Sequence, residues 1–303
     1  MGLFRSWQQA GPGIDPNAPK KKPFFRFWEL MRRNLGKLIG LNMIYTLMHV
    51  PLFLSFFVYI DTNNKFTNIM AVFLLLVQLL IEGPLLAGCT RVQRLIVLDK
   101  AFFFGEEFKK GFKSNFGAAF LFWLIDALLI ASVVAGYYVY PQIAMESGSS
   151  AIYIPYGISL AVALIVLFMN YYIMPLQAAT TLSKKSVLKN AFMLVGLSLK
   201  QCIITTLGAA AMLGVMALLI WTNSLFMFLL TFFPAAFIGY LVMFVHYPVI
   251  QKFVINPYYE AKGEQNPELI DDSGEGEDKL FTDRGTSEEP VPVEKPKKGK
   301  VIS

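Results

Sequence analysis

The sequence has little of what a soluble enzyme or a metalloprotein needs. Its 303 residues include two histidines and two cysteines, and neither pair has the spacing of a metal site. A phosphate-binding glycine loop, an HExxH motif and a nucleophile elbow are all missing from the sequence. These absences exclude an ATPase at the level of motifs and argue against a hydrolase or a metalloenzyme. We therefore expect a protein without enzymatic activity, metal or cofactor.

Charge is also scarce, and long apolar runs take its place. Charged residues make up 16% of the chain and hydrophobic residues 55%, and the mean hydropathy is +0.51. Because a bilayer core about 30 Å thick requires apolar runs of about 20 residues, the six runs in this sequence predict six membrane spans. We expect the spans at residues 38–59, 69–89, 118–140, 152–175, 202–221 and 225–247.

Basic residues are nearly absent from one side of the predicted membrane. The loops 60–68, 141–151 and 222–224 contain a single basic residue, Lys65, and the other 26 of the 27 lie in the tails and in the loops of the opposite side. The positive-inside rule therefore predicts that both termini lie in the cytoplasm. This topology, with anionic lipid head groups as partners of the basic face, accounts for the positive charge. Nucleic acid is not an expected partner.

Three stretches of the sequence follow the same order, at about 23–90, 104–178 and 184–250. Each has a basic amphipathic segment, two apolar spans and a proline-led exit into basic sequence. This period predicts an all-α membrane protein with six transmembrane helices in three parallel hairpin repeats. The three frames are anchored on Asn34, Asn115 and Ser198, and their prolines are Pro84, Pro175 and Pro248.

A basic amphipathic helix is predicted at the start of each repeat. In the second repeat, phenylalanine recurs every fourth residue, at Phe104, Phe108, Phe112 and Phe116, opposite glutamate and lysine side chains. We expect these helices to lie at the cytoplasmic interface, with the apolar face toward lipid and the basic face toward phosphates. A docking surface for a partner protein is the alternative, and the two interpretations are compatible.

The three prolines predict kinks or breaks near the inner ends of the even-numbered spans. Proline lacks a backbone donor and clashes with the preceding turn. Breaks at Pro84, Pro175 and Pro248 would suggest a vestibule on the inner side, since a broken helix within the membrane needs protein or a watery cavity around it. The alternative is that the prolines only mark the ends of the helices.

A few polar side chains are predicted to lie inside the spans. Ionisable groups at membrane depth are costly and commonly mark ligand sites or proton relays, and a Glu–His or Asp–His pair could carry out either role. Interhelical hydrogen bonds that hold the bundle together are the structural alternative. The candidates are Glu82, Asp126, Asn170 and His246, with His49 near the middle of the first span.

The two ends of the chain differ from its apolar body. Residues 1–22 are predicted to form a cytoplasmic tail, and 23–255 the six-span domain. Residues 256–303 mix acidic and basic groups with glycine and proline, which is typical of a disordered cytoplasmic tail.

Several segments, in order, resemble the YesL family of bacterial integral membrane proteins, which is common in Firmicutes and has no known function. The amino-terminal match comprises residues 11–13 (GPG), 20–30 (KKKPFFRFWEL), 37–39 (KLI) and 41–42 (LN). The central match comprises residues 83–84 (GP), 90–91 (TR), 105–106 (GE), 112–113 (FK) and 115–116 (NF). The resemblance covers about residues 10–255 and implies a location in the bacterial cytoplasmic membrane.

The resemblance also implies a modest function. Members of the family are associated with carbohydrate-utilisation genes, so it implies an accessory component of sugar uptake beside an ABC transporter permease. The alternative is an autonomous carrier of small solutes with a pseudo-threefold architecture. The residues that match the family pattern on the inner face are Thr90, Arg91, Gly105, Glu106 and Asn115, and they could equally hold the inner loop against the interface.

Overall fold

The computed structural model describes residues 22–61 and 64–268, and within these ranges the chain forms α-helices and no strand. The predicted all-α fold is therefore confirmed for this part of the chain. The helices are α1 (Pro23–Arg33), α2 (Leu35–Met48), α3 (Val50–Asp61), α4 (Lys65–Val97), α5 (Phe104–Ser114), α6 (Phe116–Ser147), α7 (Tyr153–Ala179), α8 (Lys184–Leu197), α9 (Leu199–Thr222), α10 (Ala235–Ile250) and α11 (Asn256–Lys262).

Six helical segments of the described chain are long and apolar enough to cross a membrane, which confirms the predicted number of spans. Only 6 to 39% of the residues in their most apolar windows are buried inside the protein, so most of this apolar surface is available to lipid. The segments are Leu35–Val58, Lys65–Val97, Phe116–Ser147, Ser150–Ala179, Leu199–Thr222 and Ala235–Lys262.

Each basic helix α1, α5 and α8 leads directly into a span through a single residue. Asn34, Asn115 and Ser198 each end one helix and begin the next, and none of the three has helical dihedral angles. The side chains of Asn34 and Ser198 donate hydrogen bonds to the carbonyl groups four residues earlier, Leu30 O and Leu194 O. The Leu30 carbonyl also accepts the backbone N–H of Asn34, whereas the backbone N–H of Ser198 bonds to Val195 O and leaves the Leu194 carbonyl to the Ser198 hydroxyl.

The first span is not one continuous helix. Helix α2 ends at Met48 and α3 begins at Val50, with His49 between them at φ −89° and ψ 1°. Pro51 lies at the second position of α3, where its missing N–H and its ring are incompatible with the preceding helical turn. The irregular turn therefore lies at His49 because proline follows two residues later.

The outer connections also differ from the prediction. Helix α6 continues through Pro141 to Ser147, and a 3₁₀ turn at Ser150–Ile152 leads into α7. The loop predicted at 141–151 is therefore mostly helical. The predicted sixth span, 225–247, begins instead with a 3₁₀ segment, Ser224–Thr231, and regular helix starts only at Ala235.

The predicted helix breaks at Pro84, Pro175 and Pro248 are wrong. Helix α4 continues from Pro84 to Val97, α7 continues from Pro175 to Ala179, and the turns after Pro248 remain helical through a π-helix at Gln251–Ile255. Pro84 and Pro175 are buried against neighbouring helices, and such packing allows a membrane helix to accommodate proline. After Pro248 the wider π turn takes up the distortion.

Helix α4 is the centre of the bundle. It packs against α2, α3, α5, α6, α7 and α10, and its buried residues include Leu85, Cys89, Val92 and Ile96. These side chains join residues of α1, α2 and α10 in one hydrophobic core. Both cysteines, Cys89 and Cys202, are buried free thiols.

The amphipathic helix α5 packs on protein rather than presenting its apolar face to lipid. Phe104, Phe108 and Phe112 contact the core, and glycines on both helices allow the close approach of α5 to α4. A Cβ added at Gly88 would lie 2.9 Å from the Phe108 ring, and one at Gly111 would lie 3.0 Å from the carbonyl oxygen of Ala87. The expected lipid-facing orientation therefore does not hold for α5.

The chain divides into two compact units, residues 1–257 and 258–303. Within the second unit, helix continues to Lys262, whose Nζ lies 4.5 Å from the centre of the Tyr258 ring. The prediction of disorder from residue 256 onward is therefore wrong for 256–262. Residues 269–303 and the predicted tail up to residue 21 lie outside the described residues.

Candidate functional site

The side chain of Glu82 lies between the first and second spans and is 4% exposed. Its Oε2 lies 3.0 Å from Nε2 of His49 and accepts a hydrogen bond from Nε2 of Gln78 at 2.6 Å. The Tyr45 hydroxyl donates to the other carboxylate oxygen, Oε1, at 3.0 Å. These four side chains, the Glu82 cluster, give a buried carboxylate three partners, as burial of a charged group requires.

Two four-residue spacings bring the Glu82 cluster together. Gln78 and Glu82 lie one turn apart on α4, while Tyr45 and His49 lie one turn apart at the end of α2. Residues four apart share a helix face, so each helix contributes a pair, and the Tyr45 and His49 rings lie 4.2 Å apart. The Glu–His pair that the sequence suggested is therefore present, and its histidine is His49.

A cavity of about 330 Å³ lies among α4, α6, α7 and α10. One part of its wall is polar, and the rest consists of aliphatic side chains, two methionines, Pro175 and Gly239. We refer to it as the Asp126 cavity. Its polar lining residues are Thr90, Gln93, Trp123, Asp126, Asn170 and Tyr171.

Asp126 and Asn170 form a pair in the wall of this cavity. Asn170 Nδ2 donates to Asp126 Oδ1 at 2.9 Å, whereas Asp126 Oδ2 has no hydrogen-bond partner among the described residues. Trp123 lies one turn earlier on α6, and its buried Nε1 donor has no partner there either. The wall therefore offers an acceptor and a donor that a ligand could use.

The cavity continues as an apolar groove between α6 and α7. This second space, of about 210 Å³, shares Asp126 and Asn170 with the cavity and is otherwise lined by aliphatic side chains. No lysine, arginine or histidine is among the lining residues of either space in the described chain. An anionic ligand would therefore meet the Asp126 carboxylate without a compensating cation.

His246 lies apart from Glu82, although both residues precede a proline by two positions. It is fully buried, its Nε2 lies 3.0 Å from Thr205 Oγ1, and its ring stacks on Tyr171 with centroids 5.1 Å apart. Its Nδ1 has no partner in the described part of the chain. Since Tyr171 lines the Asp126 cavity, His246 packs against a residue of the cavity wall without lining the cavity itself.

The inner-face candidates that match the family pattern do not form one site. Thr90 lines the cavity, whereas Arg91 Nε donates to Glu107 Oε2 at 2.6 Å and thereby joins α4 to α5. Glu106, the neighbouring glutamate that the sequence suggested, is exposed, as is Gly105. Asn115 joins α5 to α6, and its backbone carbonyl accepts a hydrogen bond from Gln177 Nε2 at 3.2 Å.

Sequence reasoning missed several residues of these sites. Tyr45 and Gln78 could have been found, because each lies four residues before a predicted polar group. Trp123 and Tyr171 look like ordinary apolar residues of a span in the sequence. Only the packing of α6 and α7 against α4 and α10 shows that they face a cavity.

Sequence reasoning also missed Asn42, whose side chain positions the start of the sixth span. Its Nδ2 donates to the carbonyl groups of Leu230 and Thr231, both at 3.0 Å, and its Oδ1 accepts from the backbone N–H of Ala236 at 2.9 Å. The side chain thus supplies partners to the backbone at the end of the 3₁₀ segment and at the start of α10. Within membrane such partners are obligatory.

In the part of the chain that the structure describes, no three histidine, cysteine, aspartate or glutamate side chains are grouped in a way that could hold a metal ion. No protein-family model, curated protein or solved structure matches the chain. The family resemblance therefore stays a prediction.

Proposed function

We propose that this chain is a membrane component of carbohydrate uptake that binds a small, hydroxyl-bearing solute inside its helical bundle. One observation carries the proposal: Asp126 and Asn170, hydrogen-bonded to each other, line a cavity in which Asp126 Oδ2 and Trp123 Nε1 have no partner within the described chain. Unpaired polar groups at a cavity wall gain free energy from a ligand that supplies their hydrogen bonds.

The chemistry of the wall supports a neutral, hydroxyl-rich ligand. A sugar hydroxyl can donate to Asp126 Oδ2 and accept from Trp123 Nε1, whereas an anion would find no lysine, arginine or histidine among the lining residues. Aromatic rings of Trp123 and Tyr171 and the aliphatic wall can cover the C–H faces of such a ligand. At about 330 Å³ the cavity lies at the small end of the range for ligand sites, about 300 to 1,000 Å³.

The proposal includes an arrangement of three parallel hairpins in a bacterial cytoplasmic membrane, with both termini on the cytoplasmic side. The three direct junctions of α1, α5 and α8 with spans, at Asn34, Asn115 and Ser198, support it. Contacts between helix ends support it further, since Tyr172 near the end of α7 is hydrogen-bonded to Ser198, and Gln177 to Asn115. These contacts bring the junctions of the second and third repeats to one end of the bundle.

Replacing Asp126 by asparagine should weaken the binding of a hydroxyl-bearing solute at least about tenfold, because the acceptor Oδ2 is replaced by an N–H donor at a buried site. Asn170→Ala should have a similar effect, since it also frees the carboxylate from its orienting partner. The measurement is equilibrium dialysis of radiolabelled mono- and disaccharides against the full chain in lipid nanodiscs.

Two matched variants control this experiment. Asp99→Asn makes the same chemical change outside the cavity, at a residue paired with Arg33, and Asn68→Ala changes an exposed residue of α4. Both should bind like the original protein. The absence of saturable binding for every sugar tested, or an equal loss in Asp99→Asn, would refute the proposed site.

The accessory and carrier versions of this function predict different transport results. An accessory component should co-purify with a permease from mild detergent and show no sugar flux by itself in liposomes. An autonomous carrier should catalyse flux that Asp126→Asn reduces about tenfold, in line with the binding loss. We favour the accessory version, because the resemblance to the YesL family implies it, and flux by the purified chain would instead establish the carrier.

A further inference from the structure

The geometry of the Glu82 cluster determines which of its atoms can carry a proton. His49 Nδ1 lies 2.8 Å from the backbone carbonyl oxygen of Tyr45. A carbonyl oxygen can only accept, so Nδ1 carries a hydrogen in every protonation state compatible with this contact. The other ring nitrogen, Nε2, is therefore the position at which His49 gains or loses a proton, and it is the one that faces Glu82.

The contact between His49 Nε2 and Glu82 Oε2, 3.0 Å long, requires a proton between the two atoms. The proton resides either on Nε2, giving an imidazolium and a carboxylate, or on Oε2, giving a neutral imidazole and a carboxylic acid. Both forms have no net charge, which burial at membrane depth favours. Loss of the proton would leave a buried carboxylate facing the lone pair of Nε2.

We propose that the Glu82 cluster is a proton-binding site within the membrane that holds one exchangeable proton between Glu82 and His49, outside the Asp126 cavity. It is a different site from the solute cavity, because none of its four side chains lines that cavity. The His49 side chain is 13% exposed at the surface of the helical bundle, whereas Glu82 is nearly fully buried. The proposal goes beyond solute binding and does not depend on it.

The surroundings of the pair support a proton site rather than a fixed ion pair. The titratable groups that face Glu82 are Tyr45 and His49 from the first span and Cys89 from α4 itself. Among the described residues, no ion pair joins Glu82 to a lysine or arginine, and no hydrogen bond joins it to a side chain of α5, α6, α7 or α10. With no permanent cation to balance it, the carboxylate depends on the movable proton.

The experiment uses the two histidines of the chain as separate reporters. Full-length protein labelled with ¹⁵N-histidine in nanodiscs gives signals from His49 and His246, which the variant His246→Gln assigns. The nitrogen shifts report whether Nε2 of His49 is protonated, and the infrared carbonyl band that is lost in Glu82→Gln reports a protonated Glu82. At pH 7 we expect one of the two groups to carry the proton, with Nδ1 protonated throughout.

The pH at which His49 Nε2 loses its proton provides the decisive comparison. If the proton is on Nε2, Glu82→Gln should lower this pH by at least about one unit, a tenfold loss of proton affinity. If the proton is on Oε2, the infrared carbonyl band of protonated Glu82 should be absent in Glu82→Gln. His49 should then stay neutral in both proteins. An ionised Glu82 beside a neutral His49 at pH 7 would overturn the proposal, and so would a protonated His49 whose midpoint Glu82→Gln leaves unchanged.

Two further variants test the pair without depending on the folding of Glu82→Gln or on solute binding. Tyr45→Phe keeps the pair and removes one donor to the carboxylate, which destabilises the form that has lost the proton, so it should raise the midpoint, opposite to the effect of Glu82→Gln and measurable even if Glu82→Gln does not fold. Asp126→Asn should leave the histidine titration unchanged. A failure of sugar binding therefore does not affect this test, and an unchanged midpoint in Tyr45→Phe, together with an ionised Glu82 beside a neutral His49, contradicts it.

Discussion

Replacing Gly83 by alanine should lower the free energy of unfolding by about 2–3 kcal/mol. A Cβ at this position would lie 2.6 Å from the backbone carbonyl carbon of Ala119 and 2.9 Å from the backbone nitrogen of Phe120 on α6. A flexible side chain could move away, but backbone cannot, so the two helices would have to separate. The measurement is the unfolding of purified protein in mixed micelles with increasing denaturing detergent.

The effect of Gly83→Ala should reach beyond stability because of where the two helices meet. Gly83 is next to Glu82 on α4, and Ala119 lies one turn before Trp123 on α6. Separation of α4 from α6 would therefore enlarge the Asp126 cavity and move the backbone that carries Glu82. We expect weaker solute binding together with the loss of stability.

Gly117→Ala provides the matched control for this prediction. Gly117 lies on α6 near Ala119, and a Cβ added to it would meet no atom within 4 Å. Alanine also favours helix over glycine by up to about 1 kcal/mol, so this variant should be as stable as the original protein or slightly more stable. Equal destabilisation by Gly83→Ala and Gly117→Ala would contradict the close contact between α4 and α6.

The elements of this fold that follow from local sequence could be predicted. Apolar length predicted six spans, and the three frames were anchored on residues that prove to be helix junctions, Asn34, Asn115 and Ser198. Junctions of this kind depend on side chains that bond to nearby backbone, as Asn34 does with Leu30, and such local effects are visible in sequence. The helix boundaries at these points therefore carry their own signal.

The partners of the polar residues could not be predicted in the same way. Glu82 and His246 each lie two residues before a proline, but these matching positions do not bring the two side chains into contact. Glu82 pairs with His49 from the neighbouring span, while His246 packs against Tyr171 and Thr205. The rotation of each helix about its axis decides these pairs, and it depends on packing of the whole bundle.

The effect of the three prolines on their helices also could not be predicted from the sequence. Proline predicts a local cost, the loss of one donor and a steric clash, but not whether the helix stops. In α4 and α7 the buried surroundings keep the helix continuous through Pro84 and Pro175. The interruption before Ala235 is instead stabilised by a side chain from another span.

This side chain is that of Asn42, and its replacement is the last prediction. Asn42→Leu, which keeps the approximate volume, should destabilise the protein by about 2–5 kcal/mol, because two carbonyl groups and one N–H lose their partner in a buried, largely apolar setting. Asn42 is 1% exposed, so water has little access to replace the amide. The same detergent unfolding experiment measures the loss, and protease cleavage near residues 224–234 in intact micelles reports local opening.

Two further variants distinguish the role of Asn42 from a general effect of altering the first span. Asn42→Asp keeps the acceptor for the Ala236 N–H but replaces the donor by an oxygen that faces the Leu230 and Thr231 carbonyl groups, so it should be at least as harmful as leucine. Asn68→Leu on the exposed side of α4 should leave stability within about 0.5 kcal/mol. If Asn42→Leu were equally mild, the backbone before α10 would have other partners, and α10 would not depend on the first span for its position. Since α10 contributes Gly239, Val242 and Met243 to the Asp126 cavity, a harmful Asn42→Leu should also weaken solute binding without changing any residue of the cavity wall.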